Sequence, residues 1–145
     1  SYAGQPWKTQ YWVRQIMRRL YNSTPDGFPG DEDQGGMSSW YVLSALGLYA
    51  VTPGTDQYVI GSPLFRKATI TMEDGSKFVI EAEGNSADNV YIQSGTLNGR
   101  PLDKNYITYG DIARGGTLKF VMGAKPNRTR NTGKDAAPYS LSTPL

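Results

Sequence analysis

The first third of the chain carries the hydrophobic period of α-helices. Apolar residues recur every three or four positions along residues 7–21, at Trp12, Val13, Ile16, Met17, Leu20 and Tyr21. This spacing predicts a helix with one buried stripe. A second helix is predicted over residues 36–48, where nearly every side is apolar. A helix that is apolar all round is buried on all sides, so we expect it to have neighbours beyond the first helix and beyond this chain.

The pattern changes to that of β-strands after residue 52. Strands are predicted over residues 67–72, 77–82, 90–97 and 117–122, with shorter extended pieces near 58–61 and 106–109. Glu73-Asp74-Gly75 is a turn sequence typical of hairpins, and the turn pair Asn98-Gly99 ends the strand 90–97. Helices followed by strands predict an α+β fold with an antiparallel sheet. We divide the chain into a helical segment 1–52, an antiparallel β region 53–124 and an irregular tail 125–145.

The composition narrows the chemistry that is open to the chain. Its 145 residues include neither cysteine nor histidine, which excludes disulfides, thiolate metal sites and His-dependent nucleophilic catalysis within it. A net charge of +2 does not indicate a nucleic-acid partner, and we interpret Arg14, Arg18 and Arg19 as a solvated helix face. No apolar segment approaches the roughly 18 residues of a membrane span. Catalysis must therefore rest on carboxylates, Lys, Tyr or hydroxyl groups.

Three consecutive carboxylates, Asp31, Glu32 and Asp33, lie between glycines immediately before the second predicted helix. Crowded like charges raise one another's pKa, whereas the free N–H groups and dipole of a helix N-terminus favour negative charge. Such a loop suits a general base or a ligand for a hard cation. Ordinary helix capping accounts for the same residues. Spacing alone slightly favours capping and leaves both interpretations open.

A second candidate group, Trp7, Lys8 and Gln10, lies at the start of the first helix. Sugars bind flat aromatic faces together with amide and charged hydrogen-bonding groups. Taken alone, these residues favour a simpler interpretation, in which Trp7 packs in the core and Lys8 and Gln10 are exposed.

Five motifs, taken in order and spacing, resemble one known family. They are Tyr2–Gln10, Asn22–Gly30, Asp31–Val42, Gly61–Phe65 and Tyr91–Ser94. The chain from Tyr2 to about Gly123 is similar to the C-terminal end of glycoside hydrolase family 92, the calcium-dependent exo-acting α-mannosidases. The resemblance implies two helices from the end of an (α/α)6 barrel, followed by an antiparallel β-sheet region.

The same resemblance implies a reaction and its residues. Family members hydrolyse terminal α-linked mannose of glycans with inversion, and we expect α-1,2 linkages. The general base corresponds to Asp33, assisted by Asp31, although members often carry Asn at the latter position. Trp7, Lys8 and Gln10 become candidate substrate contacts. A calcium ion is implied as cofactor, with most of its ligands outside this chain.

The family's general acid, a glutamate, lies upstream of the matched region. We therefore expect this chain to be inactive alone and to need the remaining N-terminal part of the same polypeptide as a partner, besides a mannose-containing glycan. Nucleic-acid and membrane partners are not expected. The implied location is secreted, periplasmic or at the cell surface. The alternative is a non-catalytic, β-rich carbohydrate-binding or structural module, which would have no use for three crowded carboxylates beside a buried helix.

Overall fold

A computed structural model describes residues 1–142. Two helices come first, and strands with one short helix follow. In chain order the elements are α1 Pro6–Arg19, α2 Gly36–Leu46, β1 Leu48–Tyr49, β2 Gln57–Ile60, β3 Lys67–Thr71, β4 Lys77–Glu83, β5 Tyr91–Leu97, β6 Arg100–Pro101, β7 Tyr106–Thr108, α3 Tyr109–Ala113 and β8 Gly116–Gly123. The predicted α+β fold class is confirmed.

The strands form two sheets. The smaller has the order β1-β2-β7, and the larger has the order β3-β4-β8-β5-β6. The turn at residues 73–75 joins the antiparallel pair β3 and β4, and Asn98-Gly99 joins β5 and β6. Asn98 and Gly99 have φ of 51° and 78°, the positive values that a two-residue type I′ hairpin turn requires. The hairpin predicted at residues 73–75 and the turn predicted at Asn98-Gly99 are therefore confirmed, and the structure adds β6 as the second strand at that turn.

One strand pair departs from the predicted antiparallel arrangement. β4 and β8 run parallel, with Phe78 opposite Gly116 and Glu83 opposite Val121. On its other side β8 pairs antiparallel with β5. Parallel strands need a long crossover connection, and here that connection contains the β5–β6 hairpin, β7 and α3. The larger sheet is therefore mixed, and the antiparallel prediction holds for its other three pairs.

Alternating burial along the two central strands builds the core. The buried positions are Phe78, Ile80 and Ala82 on β4 and Leu118, Phe120 and Met122 on β8. The opposite face carries the ion pairs Lys67–Glu81 at 3.1 Å and Lys119–Glu83 at 3.0 Å. Exposed pairs of this kind contribute about 0–1 kcal/mol. The buried apolar face, with its period of two, is therefore what holds the sheet together.

The predicted buried stripe of α1 is only partly correct. The helix buries Pro6, Gln10, Arg14 and Met17, whereas Trp12 is 57% exposed. The helix packs on the β region through a stripe that is partly polar, and this turns some of its apolar residues outward. The interpretation of Arg14 as part of a solvated face is wrong.

The second helix is shorter and more exposed than predicted. It ends at Leu46, and Gly47 follows with φ +89°. The backbone of Gly47 lies so close to Pro63 that a Cβ added to Gly47 would be 2.8 Å from the Cγ of Pro63. Only Ser44 and Ala45 are buried within α2, and Val42 is 59% exposed. Burial on all sides is therefore not supplied by residues 1–142. None of the helices in this range has the length and apolar character to cross a membrane.

Arg14 joins α1 to two loops of the β region. The side chain is 2% exposed. Its guanidinium donates to the carbonyl oxygen of Pro63, to Oδ1 of Asn85 at 3.1 Å and to the carbonyl oxygen of Ser86 at 2.7 Å. Burial, and then the nearby charge of Arg18, lower the pKa of Arg14. The local sequence gave no sign of this role because the three acceptors lie far away along the chain.

The described part of the tail, residues 125–142, is irregular apart from one turn of 3-10 helix at Lys134–Ala136. It is nevertheless attached to the β region, because Asn131 Nδ2 donates to the carbonyl oxygens of Leu102 and Lys104 at 3.1 and 3.0 Å. Residues 143–145 of the predicted tail lie outside the described residues.

We predict that Arg14→Met strongly destabilises the fold. The substitution removes three hydrogen bonds and leaves acceptors of the junction without donors. Each unsatisfied buried polar group costs about 1–3 kcal/mol, so the free energy of unfolding in urea should fall by about 3 kcal/mol or more. Arg18→Met is the matched control, since Arg18 is exposed and, among residues 1–142, donates only to the carbonyl oxygen of Ala87, and it should cost about 0.5 kcal/mol. Equal losses in the two variants would contradict the anchoring role.

Candidate functional site

Glu32 holds the acidic loop against the start of α2. Its Oε2 accepts from the N–H of Met37 at 2.8 Å, and its Oε1 accepts from the N–H of Ser38 at 2.9 Å. N–H groups in the first turn of a helix have no partner within the helix, and the helix dipole favours an anion there. Hydrogen bonding from Ser38, supported by the amide of Met37, lowers the pKa of the Glu32 carboxyl. This carboxylate is therefore held ionised.

A tight turn fixes the backbone of the same loop. The N–H of Gly35 donates to the carbonyl oxygen of Glu32 at 3.0 Å. Gly35 has φ +68°, a left-handed conformation that glycine adopts without steric cost. It is also the N-cap residue of α2, and it offers no side chain to the helix. Asp33 lies within this turn, directly after Glu32, the residue whose carboxylate accepts from the helix amides.

Asp31 and Asp33 are the free carboxylates of the triplet. Both side chains are exposed, and within residues 1–142 neither makes a hydrogen bond. The capping role, which the sequence left open for all three acids, belongs to Glu32. Asp31 and Asp33 therefore remain available for contact with water or a ligand.

Tyr21 attaches the connection between the helices to the same end of α2. Its hydroxyl donates to the carbonyl oxygen of Met37 at 3.2 Å. Its ring stacks on Trp40, with centroids 5.7 Å apart and planes at 15°, and meets Phe28 edge to face at 6.1 Å. Burial, followed by the charge of Glu32, raises the pKa of Tyr21. The phenol therefore remains a neutral hydrogen-bond donor beside the acidic loop.

The structure does not bring the aromatic and amide candidates to this loop. Tyr21, just after α1, lies against the first turns of α2, while Thr9 near the start of α1 lines a cavity with Ser44 near the end of α2. The two helices thus run antiparallel. Trp7, which is half-buried, and Lys8, which is exposed, lie at the far end of α1, roughly 20 Å along a 14-residue helix from the acidic loop.

Gln10 lies between α1 and the larger sheet. The side chain is 3% exposed, and its Oε1 accepts from the N–H of Ile92 on β5 at 3.0 Å. The interpretation of Gln10 as an exposed residue is wrong, because its amide replaces a missing backbone partner of the sheet. A substrate contact by Trp7, Lys8 and Gln10 stays a prediction, and it would be made away from the acidic loop.

The residues present do not complete a calcium site. Among residues 1–142 no three His, Cys, Asp or Glu side chains lie together as metal ligands. Calcium takes 6–8 oxygen ligands, and Asp31 and Asp33 offer two exposed carboxylates at most. These two residues could supply part of a site and no more.

A separate cleft of about 630 Å³ shares no lining residue with the acidic loop. Its lining includes Tyr2, Gln57, Tyr106 and Tyr139, but no Asp or Glu of the described residues. It therefore lacks a carboxylate for acid or base chemistry, and the acidic loop is the better candidate for a catalytic site.

Comparison with known proteins gives the class of enzyme. Residues 1–124 match the family model described as the Glycosyl hydrolase family 92 catalytic domain. The helix pair and its acidic loop are therefore part of a glycoside hydrolase. The chain belongs to glycosyl hydrolase family 92, and the identification made from the five motifs is confirmed.

Solved structures and a curated relative agree with this assignment. The chain is similar to a family GH92 inverting mannosidase from Bacteroides thetaiotaomicron, with a TM-score of 0.91 and 48% identity over 98% of this chain and 19% of that one. A second GH92 α-mannosidase from the same organism, also solved with mannoimidazole, has a TM-score of 0.91 and 41% identity, and the match covers 99% of this chain and 19% of that one. An uncharacterized secreted glycosidase of Arthroderma benhamiae is 33% identical over 97% of this chain and 18% of its own length. The chain thus spans less than a fifth of these relatives.

Proposed function

We propose that the protein containing this chain is an inverting exo-α-mannosidase that removes terminal, α-1,2-linked mannose from glycans. Family membership and the solved mannosidases that share this fold support the substrate class. The observation that supports the assignment of Asp33 and Asp31 is that the three acids of the loop have different environments. Glu32 carries the hydrogen bonds to α2, and Asp31 and Asp33 stay exposed.

Asp33 is the general base of this proposal. An inverting glycosidase uses one carboxylate to activate water on the face of the sugar opposite the leaving group. A carboxylate oxygen of Asp33 accepts a proton from the water, and the water oxygen bonds to the anomeric carbon as the glycosidic bond breaks. Asp31 assists by accepting a second hydrogen bond from the same water. The departing oxygen takes its proton from a glutamic acid in another part of the protein.

The remaining parts of the proposal concern the whole protein. The protein is calcium-dependent in this proposal. Most of the calcium ligands come from outside residues 1–142, because the described residues do not complete a site. Trp7 and Lys8 contact a portion of the glycan away from the cleaved bond, and Gln10 acts through the position of α1. The enzyme is secreted, periplasmic or on the cell surface, which the secreted relative supports.

We predict that Asp33→Asn in the whole protein keeps the fold and loses most of the turnover. Asparagine is nearly isosteric but cannot take a proton from water, and loss of a general base typically costs about 10²–10⁴-fold. The melting temperature should not change, because the Asp33 side chain is exposed. Asp26→Asn, in the exposed loop before the triplet, is the matched control and should keep both turnover and melting temperature. Near wild-type turnover in Asp33→Asn would show that the base assignment is wrong.

We also predict that residues 1–145 alone do not hydrolyse α-1,2-mannobiose at a measurable rate. The chain lacks the partner acid, whose assistance is worth about 10²–10⁴-fold. The check is mannose release by the isolated chain, compared with its own Asp33→Asn variant as the background. Calcium-dependent release that disappears in the variant would mean that this chain holds a complete catalytic pair.

A further inference from the structure

The side chain of Glu32 connects the acidic loop to the N-terminus of α2. Of the side chains in residues 30–35, only Glu32 makes hydrogen bonds within the described part of the chain. It accepts from Met37 at 2.8 Å and from Ser38 at 2.9 and 3.1 Å. Its own carbonyl oxygen accepts from Gly35 at 3.0 Å. Glu32 is therefore held at both its side chain and its backbone.

The neighbouring contacts leave little freedom on the other side of the loop. Met37 receives the hydroxyl of Tyr21 on its carbonyl oxygen, and its Cε lies 3.1 Å from the place of a Cβ on Gly30. The same residue thus packs against Gly30 and donates to Glu32. Consecutive Cα atoms are 3.8 Å apart, so the location of Glu32 limits where the backbone of both flanking residues, Asp31 and Asp33, can lie.

We infer that Glu32 is a positioning residue for the reaction, one that holds Asp33 at the distance from the sugar that water activation needs. The inference rests on the proposed function of Asp33 as the base. Catalytic groups have to be held within about 0.5 Å of their productive position by supporting contacts. In this loop, Glu32 supplies the side-chain contacts of that kind, and Asp33 itself makes none within the described residues.

A purely structural role for Glu32 gives a different expectation. A helix cap contributes to stability, and its loss would lower the melting temperature without changing turnover in the protein that stays folded. A positioning role affects the chemical step, because a misplacement of about 1 Å can cost roughly 10²-fold in rate. It leaves the base itself in place, so the loss of activity at low pH, which reports protonation of the base, persists.

The experiment measures kcat, KM, the pH profile of kcat and the melting temperature of Glu32→Ala and Glu32→Gln in the whole protein. An aryl α-mannoside is the substrate. We expect Glu32→Ala to lose roughly 10²-fold in kcat, with KM unchanged and the acidic limb of the profile retained. Glu32→Gln should be intermediate, because its amide oxygen still accepts from one N–H and its NH2 group opposes the other.

Asp111→Ala is the matched control for capping. The carboxylate of Asp111 accepts from the N–H and the Oγ1 of Thr108 at 2.9 and 2.8 Å, which caps α3 far from the acidic loop in sequence. This variant should have a lower melting temperature and an unchanged kcat. It measures the effect of a lost cap on an otherwise intact enzyme.

Three outcomes would overturn the inference. Wild-type kcat in Glu32→Ala, or in Glu32→Gln if the alanine variant does not fold, would leave Glu32 with a capping role alone. Loss of the acidic limb in a Glu32 variant would make Glu32 itself the base. A kcat loss of equal size in Asp111→Ala would attribute the effect to general destabilisation. Failure of the proposed base is distinguishable, because it appears as wild-type turnover in Asp33→Asn.

Discussion

The contact between the Glu32 carboxylate and the first amides of α2 is the one on which the arrangement of the candidate site depends. Helix N-termini have unpaired N–H groups and attract anions, so an acidic triplet in front of a helix would ordinarily be assigned to capping as a whole. Here one acid satisfies Met37 and Ser38. The flanking acids are exposed and are free for chemistry. A structural requirement and the catalytic role that we propose are thus assigned to neighbouring residues of a single loop.

The helix pair that carries this loop is fixed to the β region by buried polar groups. Arg14 donates to two loops, and Gln10 accepts from β5. Because these contacts use the polar stripe of α1, the apolar side chain of Trp12 faces outward, and Val42 on α2 is exposed as well. That arrangement agrees with a chain that spans less than a fifth of its solved relatives. The exposed apolar side chains and the proposed partner acid both indicate a role for the part of the protein outside this chain.

Local features of the fold could be predicted from the sequence, and non-local ones could not. The hydrophobic period of α1 and the turn sequences of both hairpins lie in the elements themselves or within a few residues of them. The parallel pairing of β4 with β8 joins segments separated by a hairpin, a strand and a short helix. The burial of Arg14 depends on acceptors at Pro63 and Asn85. In the acidic loop, the sequence identifies the triplet as a candidate site, but only the hydrogen bonds of the structure distinguish the role of Glu32 from that of Asp33.

Hydrogen exchange at the amides of Met37 and Ser38 tests this account most directly. The rates should be measured by NMR in the wild-type chain and in its Glu32→Ala and Asp33→Ala variants. Amides that hold a hydrogen bond exchange slowly until the local structure opens. We predict slow exchange at both amides in the wild type and in Asp33→Ala, and fast exchange in Glu32→Ala. Fast exchange in the wild type, or protection lost in Asp33→Ala and kept in Glu32→Ala, would contradict it.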